Sequence, residues 1–229
     1  MSRREVVVFD VNETLLDLSG LGPAFSAIMP VELMAVWFTR TLHNSLVANS
    51  TGHYDSFDRQ AVDALIVTAG SVGVSVTELQ AAALVAGMTS LPPHPDVVPS
   101  LVSLAEGGFR LATLTNSSLA VLAEQMSNAG LIDFFDELIS VEEVQQFKPA
   151  PATYLYAAGR LRIPIDEMRL VAAHSWDVTG AARAGARTAY VARGNSTLGP
   201  LSEAPDIAGE DLNSLAGSII AALETDQGG

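Results

Sequence analysis

The chain has 229 residues, 48% of them hydrophobic, enough for one full α/β core with a smaller accessory unit and too few for several independent domains. Its formal charge of −14 excludes an electrostatic grip on nucleic acid or an anionic membrane surface, because phosphate binding needs clustered Lys and Arg. The lack of Cys excludes disulfides, thiolate nucleophiles and Cys-ligated metals, and it fits a cytoplasmic protein.

Met1-Ser2-Arg3-Arg4-Glu5 leads into Val6-Val7-Val8-Phe9, an apolar run too short for a signal peptide. The run is β-branched and aromatic, the pattern of a strand buried on both faces of a parallel sheet, and it sets Asp10 at the strand's carboxyl end. Residues 18–91 read as helical throughout. Within them, 31–48 carries apolar residues at helical spacing, and Ser75-Val76-Thr77-Glu78 reads as a capping box opening another helix. The segment is too long for one crossover helix, so an inserted all-helical cap domain is predicted over 18–91, returning to the core at Pro92-Pro93-His94-Pro95. Apolar-rich stretches such as 81–88 fall well short of the ~20 residues a membrane helix needs. Strand-like runs recur at 109–114, 138–140, 169–173 and 188–191, separated by helical patterns such as 118–128 and 152–161. That alternation predicts an α/β fold whose core, residues 1–17 and 92–229, is a Rossmann-like parallel sheet. Disorder is expected only in the tail Thr225-Asp226-Gln227-Gly228-Gly229.

In open parallel sheets the reactive groups gather beyond the carboxyl ends of the strands. The loops there carry polar residues in an otherwise apolar chain: Asp10-Val11-Asn12-Glu13-Thr14, then Thr115-Asn116-Ser117-Ser118, then Lys148-Pro149, then His174-Ser175-Trp176-Asp177. This order resembles the haloacid dehalogenase superfamily, which has a nucleophilic Asp after strand one, Ser or Thr after strand two, a Lys before a Pro, and an acid after strand four. Phosphatases of that superfamily place a second Asp two residues after the nucleophile to protonate the leaving alkoxide. Here that position is Asn12, which cannot act as a general acid. A halide leaves as a stable anion without a proton, and the chain is most similar to the L-2-haloacid dehalogenases. Arg40 falls where they carry a halide-receiving Arg, Tyr154 follows Lys148 at their spacing, and Trp176-Asp177 resembles their aromatic-Asp pair. Many of them have Ser-Ser-Asn where this chain has Ala172-Ala173-His174.

The resemblance implies hydrolytic dehalogenation of short L-2-haloalkanoic acids to 2-hydroxy acids through an ester on Asp10. It assigns catalysis to Asp10, Lys148, Asp177, Thr14 and His174, with Asp177 ahead of His174 as the group that activates water. It assigns substrate and halide binding to Val11, Arg40, Thr115, Asn116, Tyr154 and Trp176, aided by backbone N–H groups at the start of the helix after strand two. No metal or other cofactor is implied, and the partners are the haloacid, the halide ion and a second copy in a homodimer. A compact pocket lined by Arg40 and His174 would extend the activity to fluoroacetate. The alternative is a Mg-dependent phosphatase of the same superfamily acting on a small phosphate ester. His43, His53 and His94 have no companions at metal-ligand spacing and read as structural or solvated.

Overall fold

The computed structural model of the chain describes residues 5–194 and 196–227. The first strand, β1 (Val6–Phe9), is buried along its whole length, as its unbroken apolar sequence requires. The helical segment that follows carries α1 (Gly22–Ser26), α2 (Met34–Thr51), α3 (Phe57–Ser71) and α4 (Glu78–Ala86). The predicted helix over 31–48 begins as a 3-10 turn and continues three residues further, to a left-handed Gly52 that closes α2. The capping box lies two residues beyond its expected place: Thr77 caps α4 and pairs reciprocally with Gln80. Trp37 Nε1 donates to Ala61 O at 2.9 Å and joins α2 to α3.

The remainder alternates as α5 (Val97–Glu106), β2 (Arg110–Thr115), α6 (Leu119–Asn128), β3 (Glu137–Ser140), α7 (Pro151–Leu161), β4 (Met168–Ala172), α8 (Ser175–Arg183), β5 (Arg187–Val191), β6 (Ile207–Gly209) and α9 (Leu212–Gln227). The six strands form one parallel sheet in the order β3-β2-β1-β4-β5-β6. Helices flank the sheet, giving the expected α/β class. The order reverses between β1 and β4, which puts a crevice beyond the carboxyl ends of these two neighbours. The expected tail is helical through Gln227, and its last residues, Gly228 and Gly229, lie outside the described residues. Among the described residues no helix is long and apolar enough to cross a membrane.

Side chains fasten the helical insertion to the sheet layer. Gln125 Nε2 of α6 donates to both Met88 O and Asn12 Oδ1 at 3.0 Å. Asn49 of α2 makes a reciprocal pair with the backbone of Phe147: its Nδ2 donates to Phe147 O and its Oδ1 accepts Phe147 N–H, both at 2.8 Å. The Phe147 ring stacks on Tyr54, with centroids 4.9 Å apart, and leans on Phe57 of α3.

Candidate active site

The crevice between β1 and β4 assembles residues that lie far apart in the chain. Asp10 continues β1, its N–H donating to Val171 O at 3.0 Å, and its side chain is buried. Lys148 Nζ donates to Asp10 Oδ1 at 2.7 Å, to Asp177 Oδ2 at 2.6 Å and to Leu114 O at 2.9 Å, so every ammonium hydrogen has an acceptor. Thr14 Oγ1 donates to Asp10 Oδ2 at 2.7 Å while accepting Ala173 N–H at 2.9 Å. His174 stands at the N-cap position of α8 and sets Nδ1 3.2 Å from Asp10 Oδ2 and Nε2 2.8 Å from Glu13 Oε2. Trp176 stacks on the His174 ring at 5.1 Å, and Lys148 Nζ lies 6.0 Å from the Trp176 centroid.

Burial drives a carboxyl group toward its neutral form, but the charge on Lys148 and the bonds from His174 reverse this for Asp10 and hold it well below the usual carboxylate range. At Asp177 burial prevails over Lys148, and repulsion from Asp10 adds to it, so its pKa is raised. Burial also weighs against the charge on Lys148, yet Asp10 and Asp177 together keep its pKa above the ordinary lysine value. One carboxylate is thus poised to remain charged and its neighbour to take up a proton. Environments that push paired carboxyl groups apart in this way mark functional sites.

The loop after β1 is fixed from below by a residue that sequence reasoning missed. Arg193 donates to Thr14 O through Nε at 3.2 Å and Nη2 at 2.9 Å, and it pairs with Asp96 at 2.7 Å. Glu13 was also unassigned. Its φ of 63° is left-handed, a conformation that costs a non-glycine residue about 1–2 kcal/mol and is often retained at functional sites.

After β2, Thr115 Oγ1 accepts Ser117 N–H at 3.2 Å, and Asn116 Oδ1 accepts Lys148 N–H at 2.9 Å. The hydrogen bond of Asn116 to Lys148 uses its amide oxygen and leaves the amide nitrogen out of that contact. The helix-start amides are less available than expected, because Ser118 accepts Val121 N–H and Glu142 accepts Leu119 N–H.

The structure places the three other assigned binding residues as follows. Val11 is buried, and its carbonyl accepts the N–H groups of Leu15 and Leu16. Tyr154 is fully buried behind the site, its hydroxyl donating to Asp177 Oδ1 at 2.6 Å, so it holds Asp177 rather than lining a pocket. Gly180 makes room for it, since a Cβ there would meet the Tyr154 hydroxyl at 2.6 Å. Arg40 is not brought to Asp10. The inward face of α2 is taken by Trp37, Phe38, Thr41 and Ser45, and Arg40, about 200° around the helix from Phe38, lines a surface depression with Ala35, Val36, Thr39 and His43. Phe38 is the α2 residue beside the site, 6.1 Å from the His174 ring. Arg40→Ala is therefore expected to leave turnover within about threefold of wild type, as surface changes away from a site usually do. A loss of about a hundredfold in the initial rate would restore Arg40 to the reaction.

A charged carboxylate at the end of the first strand, bound to a lysine shared with an acid after the fourth, defines a hydrolase of the haloacid dehalogenase class. Residues 5–185 match the family of haloacid dehalogenase-like hydrolases, and the chain belongs to it. Within it the chain groups with the (S)-2-haloacid dehalogenases. It is 32% identical to (S)-2-haloacid dehalogenase 2 of Pseudomonas sp. strain CBS-3, over 87% of this chain and 89% of that protein. To (S)-2-haloacid dehalogenase H-109 of Pseudomonas putida it is 30% identical, over 93% and 96%. The fold superposes with a TM-score of 0.89 and 27% identity on L-2-haloacid dehalogenase from Xanthobacter autotrophicus with chloropropionic acid covalently bound, covering 95% of this chain and 98% of that one.

Proposed function

We propose that this enzyme converts short (S)-2-haloalkanoic acids to 2-hydroxy acids in two steps through an ester on Asp10. The observation that carries the reading is the state of Asp10: a buried carboxylate kept ionised by Lys148 and aimed by Thr14, with an amide instead of an acid two residues on. Asn12 accepts from Gln125 at 3.0 Å and donates to Ser117 at 3.4 Å, so it is built into the scaffold and supplies no proton to a leaving group. The site suits a leaving group that departs as an anion. The chloropropionic acid held covalently by the Xanthobacter enzyme supports a covalent route.

In the first step Asp10 attacks the carbon bearing the halogen, the carbon–halogen bond breaks, and the centre inverts. Holding the two at attack distance in a dry pocket contributes about 7–11 kcal/mol, which a weak nucleophile such as a carboxylate requires. The helices of residues 18–91 act as the cap that excludes water, its Phe38 and the core's Trp176 supplying apolar surface against His174, which contacts Asp10. The Asn116 amide binds the anionic substrate. In the second step water adds to the Asp10 ester as its proton passes to Asp177, whose raised pKa suits it to accept. Extension to fluoroacetate rests on His174 alone, since Arg40 faces away.

The test is halide release from each enantiomer of 2-chloropropionate with EDTA present. Release from the (S) form, giving (R)-lactate, is expected. Silence with both enantiomers, together with Mg²⁺-dependent release of phosphate from a small ester, would establish the phosphatase alternative instead.

A further inference from the structure

The second step has a requirement that the first lacks: when water adds to the ester carbon of Asp10, negative charge develops on the carboxyl oxygen that is not alkylated. Preorganised donors at that oxygen are worth about 10²–10³ in rate. The Oδ2 side of Asp10 is such a place. The Thr14 hydroxyl, its own oxygen taken by Ala173 N–H, points its hydrogen at Oδ2, and His174 Nδ1 approaches the same oxygen. Each ring nitrogen of His174 faces a carboxylate oxygen, Oδ2 of Asp10 or Oε2 of Glu13. A carboxylate only accepts, so both nitrogens donate and the ring is an imidazolium. The ring planes of Trp176 and Phe38 lie 24° and 30° from that of His174 and hold it in place without adding charge. Burial opposes the charge, but the bonds to Asp10 and Glu13 overcome it, and the His174 pKa is pushed up to about 10. A ring donating from both nitrogens has no lone pair for a water proton, so His174 does not act as the base that sequence reasoning allowed.

We infer that His174, kept protonated by Glu13, acts with Thr14 as the oxyanion donor pair for hydrolysis of the Asp10 ester, a role that rests on the two-step reading above. Oδ1 is the oxygen that attacks carbon. It has one donor, and when it gives up its charge Lys148 retains Asp177 and the Leu114 carbonyl. Water then forms a bond to Cγ as its proton passes to Asp177, and the carbonyl electron pair moves onto Oδ2, where Thr14 and His174 already donate. The pair returns, the Cγ–Oδ1 bond of the ester breaks, the departing alkoxide takes the proton from Asp177, and Asp10, now carrying the water oxygen, releases the second water proton to solvent to become a carboxylate again. Glu13 touches none of the reacting atoms and is a positioning residue acting through His174. Its left-handed backbone aims the half-exposed carboxylate at Nε2.

Rapid-quench mass spectrometry of the enzyme turning over (S)-2-chloropropionate tests this, with His174→Gln and Glu13→Gln beside wild type. Loss of an oxyanion donor slows the second step by about a hundredfold and spares the first. His174→Gln should therefore release one halide per enzyme in a burst and then accumulate the Asp10 adduct. Glu13→Gln should do so more mildly, with its alkaline limb of kcat moved down by at least about one pH unit. A slow His174→Gln enzyme with neither burst nor adduct overturns the assignment. The ¹⁵N shifts of His174 in wild type, assigned by comparison with the variant, give a readout independent of turnover. Both nitrogens should be protonated at pH 8, and a neutral ring there overturns the proposal. If wild type releases no halide, the dehalogenase reading itself fails, and an imidazolium seen by NMR does not rescue it.

Discussion

Asp10→Asn is expected to abolish halide release from (S)-2-chloropropionate, by at least about 10⁴-fold, because an amide oxygen carries no charge to deliver to carbon and the positioning around it is then wasted. The variant should still fold. Lys148 keeps Asp177 and the Leu114 carbonyl as acceptors, and the amide is nearly isosteric with the carboxylate it replaces. Halide assayed by ion chromatography, with circular dichroism as the folding control, decides the matter. Residual release above about 1% of wild type from a correctly folded variant would remove Asp10 from the covalent role and favour direct attack by water.

Lys148→Met should act on stability as strongly as on turnover. The ammonium is the one lysine contact of two buried carboxylates, and removing one partner from such a cluster costs about 3–5 kcal/mol. For a chain of this size that lowers Tm by roughly 6–20 °C near pH 7. The pH dependence separates charge from packing. In wild type Asp10 is depressed below its ordinary 3.8, so its stabilising contribution is present above that value and lost as pH falls through the folded-state value. Without Lys148 the buried Asp177 is forced further toward the neutral form while His174 still holds Asp10, so the folded state takes up a proton at Asp177 before the unfolded one does, and the variant regains stability as pH falls. The gap in Tm should therefore narrow between pH 7 and pH 4. A gap that stays constant would mean that the loss is one of packing alone.

The strands of the core were legible because strands buried on both faces leave an unbroken apolar signature, and β1 to β5 lie within a residue or so of their predicted places. β6 has three partly exposed residues and carries no such signature. Asp10, Thr14, Lys148, His174 and Asp177 were each marked by position at a strand end, where polar residues have no other reason to cluster. Arg40 shows where motif spacing fails. A helix presents its residues by angular phase, and the bulk of Trp37 and Phe38 sets which face turns toward the site, leaving Arg40 partly buried on another face of α2. Glu13 and Arg193 were missed for a different reason: their partners, His174 and Thr14, are 161 and 179 positions away, and no local pattern announces a pairing of that kind.

The Asn49 clasp bears on how separable the parts of this molecule are. Phe147 belongs by its contacts to the helical insertion, held by Asn49 and packed against Tyr54 and Phe57, while the very next residue supplies the cation of the catalytic centre. At Phe147-Lys148 the contact with the helical insertion and the chemistry of the site meet at a single peptide bond. A graft of these helices from a relative would have to bring a matching anchor for residue 147, and a trimmed sheet without them would leave a bare aromatic ring and an untethered lysine. Modularity in this fold stops one residue short of the chemistry.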